Sequence, residues 1–307
     1  MMFKNLRLYR LAKPFAHSPD GLHEHLEAAA FRPCGKLEHE TLGWVPPLGR
    51  RATLLTHAAG PAILVCARKE SRMLPPAVIN EELAEKVAAI EDGESRRVGR
   101  KERLEIKDQI VHELLPRAFT RSSHIYAMIL PRSGWIVIDT SSKARAEELL
   151  SLLREGLGSL PVAMPRPVAD PSTVMTSWIA GEPLPAGLEL GDECELQESG
   201  DDAGTIRVKR VELLSDEIRT HLGAGRRVVK LALALDERMR FVLDEEMGVK
   251  RLAFEDVVLE PLQDVDGDDD LARMDAQFAL VSLELEAMLP RILDWFGGEE
   301  DMAGVAA

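Results

Sequence analysis

Two stretches of this 307-residue chain concentrate cationic side chains. Residues 96–121 hold eight bases, Arg96, Arg97, Arg100, Lys101, Arg103, Lys107, Arg117 and Arg121, against four acids. Residues 205–230 hold seven, Arg207, Lys209, Arg210, Arg219, Arg226, Arg227 and Lys230, against three. Arg68, Lys69 and Arg72 form a shorter cluster. Guanidinium and ammonium groups at this density can hold phosphates without reading base edges. Each stretch alone also fits an ordinary solvated face. Arg96, Arg100, Arg103 and Lys107 are spaced i, i+4, i+7 and i+11 and share one face if helical. Gly99 places Arg96 either on that helix or in a turn before it. Beyond Lys107 the face becomes apolar through Ile110 and Leu114, so the element would present bases at one end and anchor with the other.

Other chemistry is thinner. Glu105-Ile106-Lys107 has the E-x-K form of some nucleases, but it lies in a helical pattern with no partner acid in view, and a two-metal nuclease needs a carboxylate cluster. The acidic run 264–275 imitates an EF-hand loop, yet its sixth position is Asp269 where glycine is needed and its twelfth is Asp275 rather than glutamate. There is no P-loop, G-x-S-x-G or H-E-x-x-H. The histidines, among them His23, His25, His57, His112, His124 and His221, have no evident acid or nucleophile partner. Cys34, Cys66 and Cys194 lie far apart, without zinc spacing, as free thiols of a reducing cytoplasm do. No metal, cofactor or catalytic residue is expected. Aromatics make up 5% of the chain, which favours a duplex backbone over base-stacking single-strand platforms.

The formal net charge of -14 argues against a polyanionic partner. The excess is local: residues 255–307 hold 15 acids and two bases, while the first 254 residues hold 36 bases and 37 acids. Charges are screened over roughly 8 Å in physiological salt, so a basic surface on the body works if the acidic segment lies elsewhere. Hydrophobic residues at 45% exclude a mainly disordered chain. No apolar run approaches the roughly 18 residues of a membrane span, and the first residues, MMFKNLRLYRLAKP, do not read as a signal peptide.

The elements that must position these residues alternate in kind. Phe3, Leu6 and Leu8 suggest an opening strand, and Ser18-Pro19-Asp20 caps a helix to about Ala30. Residues 61–68 read as a strand, and residues 76–115 as two helices broken between Gly93 and Gly99. Strands follow at 123–130 and 134–139, and a helix at 141–156. After a proline-rich segment (161–171), the pattern gives a helix near 172–180 and strands near 188–197 and 205–209. A helix capped by Ser215 precedes strands at 227–234, 239–243 and 250–254, and a helix from about Gln277 to Phe296 closes the chain. Strand runs with interspersed helices indicate an α+β fold. The organisation expected is a sheet-based body (1–75 with 116–160), a projecting helical finger (76–115) and an α+β second half (161–307).

Six segments carry a resemblance: FRPCG (31–35), GWVPPLG (43–49), CARKE (66–70), LLPRAF (114–119), LLREGLGSLPV (152–162) and GTIRVKR (204–210). In this order, across nearly the whole chain, they resemble the RdgC family of bacterial recombination-associated proteins. The resemblance implies a homodimer closed into a ring with duplex DNA through its hole. It further implies sequence-independent binding, antagonism of RecA-driven strand exchange, a role at replication forks, and a cytoplasmic, nucleoid-associated location. It makes residues 76–115 the tip and suggests that Phe119 belongs to the contact closing the ring, with Arg117 near it; an ordinary core aromatic is the alternative for Phe119. Arg96, Arg97, Arg100 and Lys101 would then reach DNA from the tip, with Lys209 and Arg210 lining the hole and Arg68 and Lys69 as lesser candidates. A metal-dependent nuclease and an acidic protein-interaction scaffold are the other functions kept open.

Overall fold

The computed structural model describes residues 3–49, 51–198, 200, 204–262 and 270–300. The first half of the chain forms β1 (Leu6–Leu11), α1 (Pro19–Glu27), β2 (Glu40–Val45), β3 (Thr56–Ala59), β4 (Ala62–Arg72), α2 (Pro76–Glu94), α3 (Arg100–Leu114), a 3-10 turn (Leu115–Arg117), β5 (Thr120–Leu130), β6 (Trp135–Asp139) and α4 (Lys143–Leu157). The second half forms β7 (Val162–Ala163), α5 (Pro171–Ala180), β8 (Leu188–Gln197), β9 (Thr205–Lys209), α6 (Asp216–Gly223), β10 (Arg227–Leu235), β11 (Met239–Asp244), β12 (Val249–Phe254), α7 (Asp256–Leu259), a 3-10 turn (Glu260–Leu262) and α8 (Asp270–Trp295). The fold is α+β, with a large antiparallel sheet. The chain divides into two compact units. The first takes the described residues of 1–28, 46–66 and 125–307; the second takes 29–45 and 67–124.

In the first unit the strand order is β4-β5-β6-β1-β12-β11-β10-β8-β9, with β3 beside β4 and β7 beside β1. Residue type decides how the two ends of this sheet are used. β6 (WIVID) buries residues on both its faces: Trp135, Ile136, Val137 and Ile138 are all within 2% of full burial. Strands buried on both faces read as continuous apolar runs. From β8 to β12 the pattern alternates. Cys194, Leu196, Leu231, Leu233, Leu235, Phe241 and Leu243 face the core, where Met175, Trp178 and Ile179 of α5 meet them. Phe278, Val281, Leu285, Met288, Leu289 and Ile292 complete that core as the apolar stripe of α8. The opposite face of β8–β12 carries charge and small residues. Ser18 caps α1 as its sequence implies, its Oγ accepting from the Gly21 amide at 3.1 Å, with Pro19 in the first turn.

The second unit pairs β2 with β4 and holds a helical hairpin. Ile79, Leu83 and Val87 of α2 pack with Ile106 and Ile110 of α3, each aliphatic contributing about 1.5–3 kcal/mol by leaving water. The break between the helices runs from Ser95 to Gly99, inside the interval that Gly93 and Gly99 mark. Gly93 stays inside the last turn of α2, and the chain turns at Ser95 (φ 51°), with Gly99 starting α3. A helical glycine costs only about 1 kcal/mol, which packing of this hairpin overcomes. Arg96 therefore lies in the turn.

Strands β2 and β3 were not evident from the sequence. β2 (ETLGWV) contains Gly43, where an added Cβ would sit 2.5 Å from the Phe31 Cα. Phe31 and Trp44 lock that approach, the Phe31 amide donating to the Trp44 carbonyl at 2.8 Å. Helix α8 starts at Asp270, a full two turns before Gln277.

Candidate nucleic-acid interface

In the first unit the open face of β8–β12 gathers cations from three strands onto two carboxylates of β8. Glu193 stands opposite Lys209 and Glu195 opposite Arg207 in the β8–β9 register, and Glu195 stands opposite Lys230 in β10. Glu195 accepts from the Lys230 Nζ at 2.7 Å through one oxygen and from the Arg207 Nε at 3.0 Å through the other. Burial works to raise the Glu195 pKa, but Lys230 and Arg207 outweigh it and hold the carboxyl below its usual range. Glu193 divides itself likewise, between Lys209 Nζ at 3.7 Å and Arg251 Nη2 at 2.8 Å. Arg251, in β12, takes a positive φ of 52°, a backbone conformation uncommon outside glycine. Nothing in its sequence context marks it as part of this array.

Beside Glu193 and Arg251 runs a shallow groove of about 300 Å³, floored by Gly191, Ala232, Ala234, Val242 and Ala253. A Cβ on Gly191 would meet the Ala232 Cβ at 2.8 Å, so the floor admits no larger residue there. Arg210, just past β9, also has a positive φ of 56° and is exposed, with no ion pair to any other described residue. Arg240 shares a neighbouring groove with Arg210 and bonds to Glu255. The separation of the acidic C-terminal region from this surface is thus incomplete, since Glu255 reaches it. Other acids of that region bond elsewhere: Asp275 to His57 at 2.7 Å, Glu284 to Arg238 at 2.5 Å and Glu299 to Arg10 at 2.9 Å. The part of the EF-hand-like run at 264–269 lies outside the described residues.

In the second unit the expected cations fall into two groups. Arg68 is held by the structure: its guanidinium lies 4.3 Å from the Phe31 ring centroid, pairs with Glu70 at 3.0 Å and donates to the Ser122 Oγ at 2.9 Å. Lys69 pairs with Glu40 at 3.1 Å. Arg96 makes a bidentate pair with Glu102 at 2.6 Å and bonds to Glu94 at 2.5 Å, so the turn residue serves as a clasp. Lys101 lies 4.0 Å from Glu105. Arg97, Arg100, Arg103 and Arg117 are exposed and make no ion pair with any other described residue. Around Glu105-Ile106-Lys107, Ile106 is buried in the hairpin core. The described residues contain no group of three or more His, Cys, Asp or Glu suited to a metal.

Phe119 is 81% exposed, which removes the core-aromatic alternative. Its backbone is nonetheless fixed on both sides. Arg72 donates to the Ala118 carbonyl at 3.1 Å, and the Met73 amide donates to the Phe119 carbonyl at 2.8 Å. Arg72 also donates to the Gly35 carbonyl at 2.9 Å, joining the FRPCG loop to the same strand. Within that loop Arg32 makes a bidentate pair with Glu38 at 2.6 Å, and the Gly35 amide donates to Glu38 at 2.7 Å. Arg32 and then the Gly35 amide pull the Glu38 carboxyl down to about 2.

These features sit in a chain whose relatives are known by name. A family described as "Putative exonuclease, RdgC" matches residues 1–299. The "Recombination-associated protein RdgC" of Psychromonas ingrahamii is 43% identical over 302 residues, covering 98% of this chain and 100% of that protein. The protein of the same name from Aeromonas hydrophila is 45% identical over 303 residues, covering 98% and 99%. That of Halorhodospira halophila is 41% identical over 300 residues, with the same coverage. No described helix is long and apolar enough to cross a membrane. The chain belongs to the RdgC family.

Proposed function

We propose that this protein is a non-catalytic, sequence-independent binder of double-stranded DNA. It acts as a homodimer closed into a ring around the duplex and restrains RecA-driven recombination on nucleoid DNA, including at replication forks. The observation that carries this reading is the layer of Arg207, Lys209, Lys230 and Arg251 on one open sheet face. Cations held on a rigid sheet beside a floor of small residues suit a phosphate backbone, and phosphate contacts carry no sequence information. Arg210 extends this layer, and Arg97, Arg100, Lys101 and Arg117 add exposed cations on the other unit, the first three around the start of α3 and Arg117 beyond its end. Arg68, Lys69 and Arg96 contribute architecture first: Arg68 and Lys69 are largely covered and Arg96 is clasped between Glu94 and Glu102, whereas Arg207, Lys209 and Arg251 are more than half exposed above their carboxylates. Phe119 supplies an apolar contact to a second copy. A closed ring retains DNA topologically and obstructs filament assembly on the same duplex.

Duplex binding measured against salt tests the reading. Log K should fall with log salt by roughly 0.9 per phosphate neutralised, equally for unrelated sequences. The charge-reversed double variant K209E/R210E should weaken binding to all of them alike. Salt-independent binding, or a variant altered only in sequence preference, would refute the phosphate assignment. The family's description as an exonuclease favours a second reading, metal-dependent DNA processing. End-labelled linear duplex incubated with Mg²⁺ or Mn²⁺ decides it: shortened strands support processing, and intact strands remove it.

A further inference from the structure

The same two carboxylates that organise the cation layer also compete with any anion that approaches it. Glu193 and Glu195 lie two residues apart on β8 and so share its open face. Each spreads its two oxygens over cations from different strands, Lys230 and Arg207 for Glu195, Lys209 and Arg251 for Glu193. The acids lie beneath and three of the cations above: Glu193 and Glu195 are 24% and 17% exposed, Arg207, Lys209 and Arg251 are 70%, 59% and 55% exposed, and Lys230 lies between at 31%. The Glu193–Arg251 pair spans three strand steps, from β8 across β10 and β11 to β12. Strands lie about 4.8 Å apart, so the two side chains can meet only by lying along the floor of Ala232, Val242 and Ala253. The small residues there are what allow the bridge.

We infer that Glu193 and Glu195 are positioning residues that set the grip of this surface on polyanions, spacing the four cations while lowering their affinity for phosphate. Their negative charge acts as a built-in counter-ion layer, which keeps the hold on a duplex loose enough for movement along it. This rests on the DNA-binding reading. Glutamine keeps the shape and one hydrogen-bond acceptor but removes the charge. A carboxylate about 5 Å from a bound phosphate in a solvated groove opposes it by a few-fold to tenfold in affinity. The released cations also become available to phosphates, which steepens the salt dependence.

The test uses the full chain and its variants E193Q, E195Q, the double variant and E195D. Affinity for a fluorescently labelled duplex is measured by anisotropy across a salt series, with circular dichroism to confirm folding. Each glutamine variant should bind about three- to tenfold more tightly, the double variant should combine the gains with a steeper salt slope, and E195D, which keeps the charge, should stay near the parent. Unchanged or weaker binding by folded glutamine variants would overturn the inference, and so would tighter binding by E195D. If no protein in the set bound duplex, the DNA reading would fall. The same variants on long-chain inorganic polyphosphate then decide the carboxylate role, with equal or absent binding across the set overturning it.

Discussion

Replacing Phe119 with alanine isolates the contribution of one exposed ring. The side chain is 81% exposed in the single chain. Burying a phenylalanine is worth about 1.5–3 kcal/mol, and alanine keeps only a small part of that. The proposed two-fold contact would use the residue once per protomer, so on that proposal F119A should lose about 4 kcal/mol of dimer stability, roughly a thousandfold in the dissociation constant. The fold itself should change by no more than about 0.5 kcal/mol, as for other surface substitutions, because the hydrogen bonds beside Phe119 involve its backbone and its neighbours. Sedimentation equilibrium reads the dimer constant, residence time on closed circular duplex reads the ring, and thermal melting reads the fold. An unchanged dimer constant together with unchanged residence on circles would refute the contact. A large fall in Tm would show that the ring supports its own chain.

Three further outcomes follow from the packing. Gly43→Ala forces a Cβ against the Phe31 backbone and should cost about 1–3 kcal/mol or more, as overpacking does; urea unfolding with an unshifted midpoint would refute it. Burial pushes the Cys66 thiol up to about 12 and the Cys194 thiol to about 11, so at pH 8 the native protein should leave both unmodified by iodoacetamide while the unfolded chain reacts at each. The Gly35 amide shift should titrate with Glu38 near pH 2. Because that carboxyl is depressed in the fold, its loop contacts stabilise fully above the ordinary carboxylate range and weaken only as the pH falls towards 2; a midpoint near 4.5 would refute the Arg32 clasp.

Periodicity made some elements plain and hid others. β8 and β9 were legible because one face carries Cys194, Leu196, Ile206 and Val208 and the other carries charge. β6 was legible as a continuous apolar run. β2 was hidden because Gly43, a poor strand former, is required by a backbone crossing that only the fold creates. α8 was read too late because Asp270 and Asp275 look like loop residues; Asp275 bonds to His57 across 218 positions. In the candidate site, the presence of Lys209, Arg210, Arg97 and Arg100 could be read directly. Which charges are already spent could not. The engagement of Arg68 and Lys69 depends on loop and strand neighbours, that of Arg96 on a left-handed turn at Ser95, and that of Lys209 on a register with β8. Arg251 joins the array through a positive φ that its sequence does not announce.

Strand β9 ends the strand order, with β8 on one side and, among the described residues, no strand on the other. An open strand edge is a template for pairing with other chains, and proteins guard such edges with charged side chains. On the proposed reading Arg207 and Lys209 do two jobs, since the charge assigned to phosphate also guards β9 against zipping onto a neighbouring copy. Neutralising them should make the protein precipitate as well as bind less, confounding the two effects. Charge reversal keeps the guard while abolishing the attraction, and it is the cleaner way to ask what this surface holds.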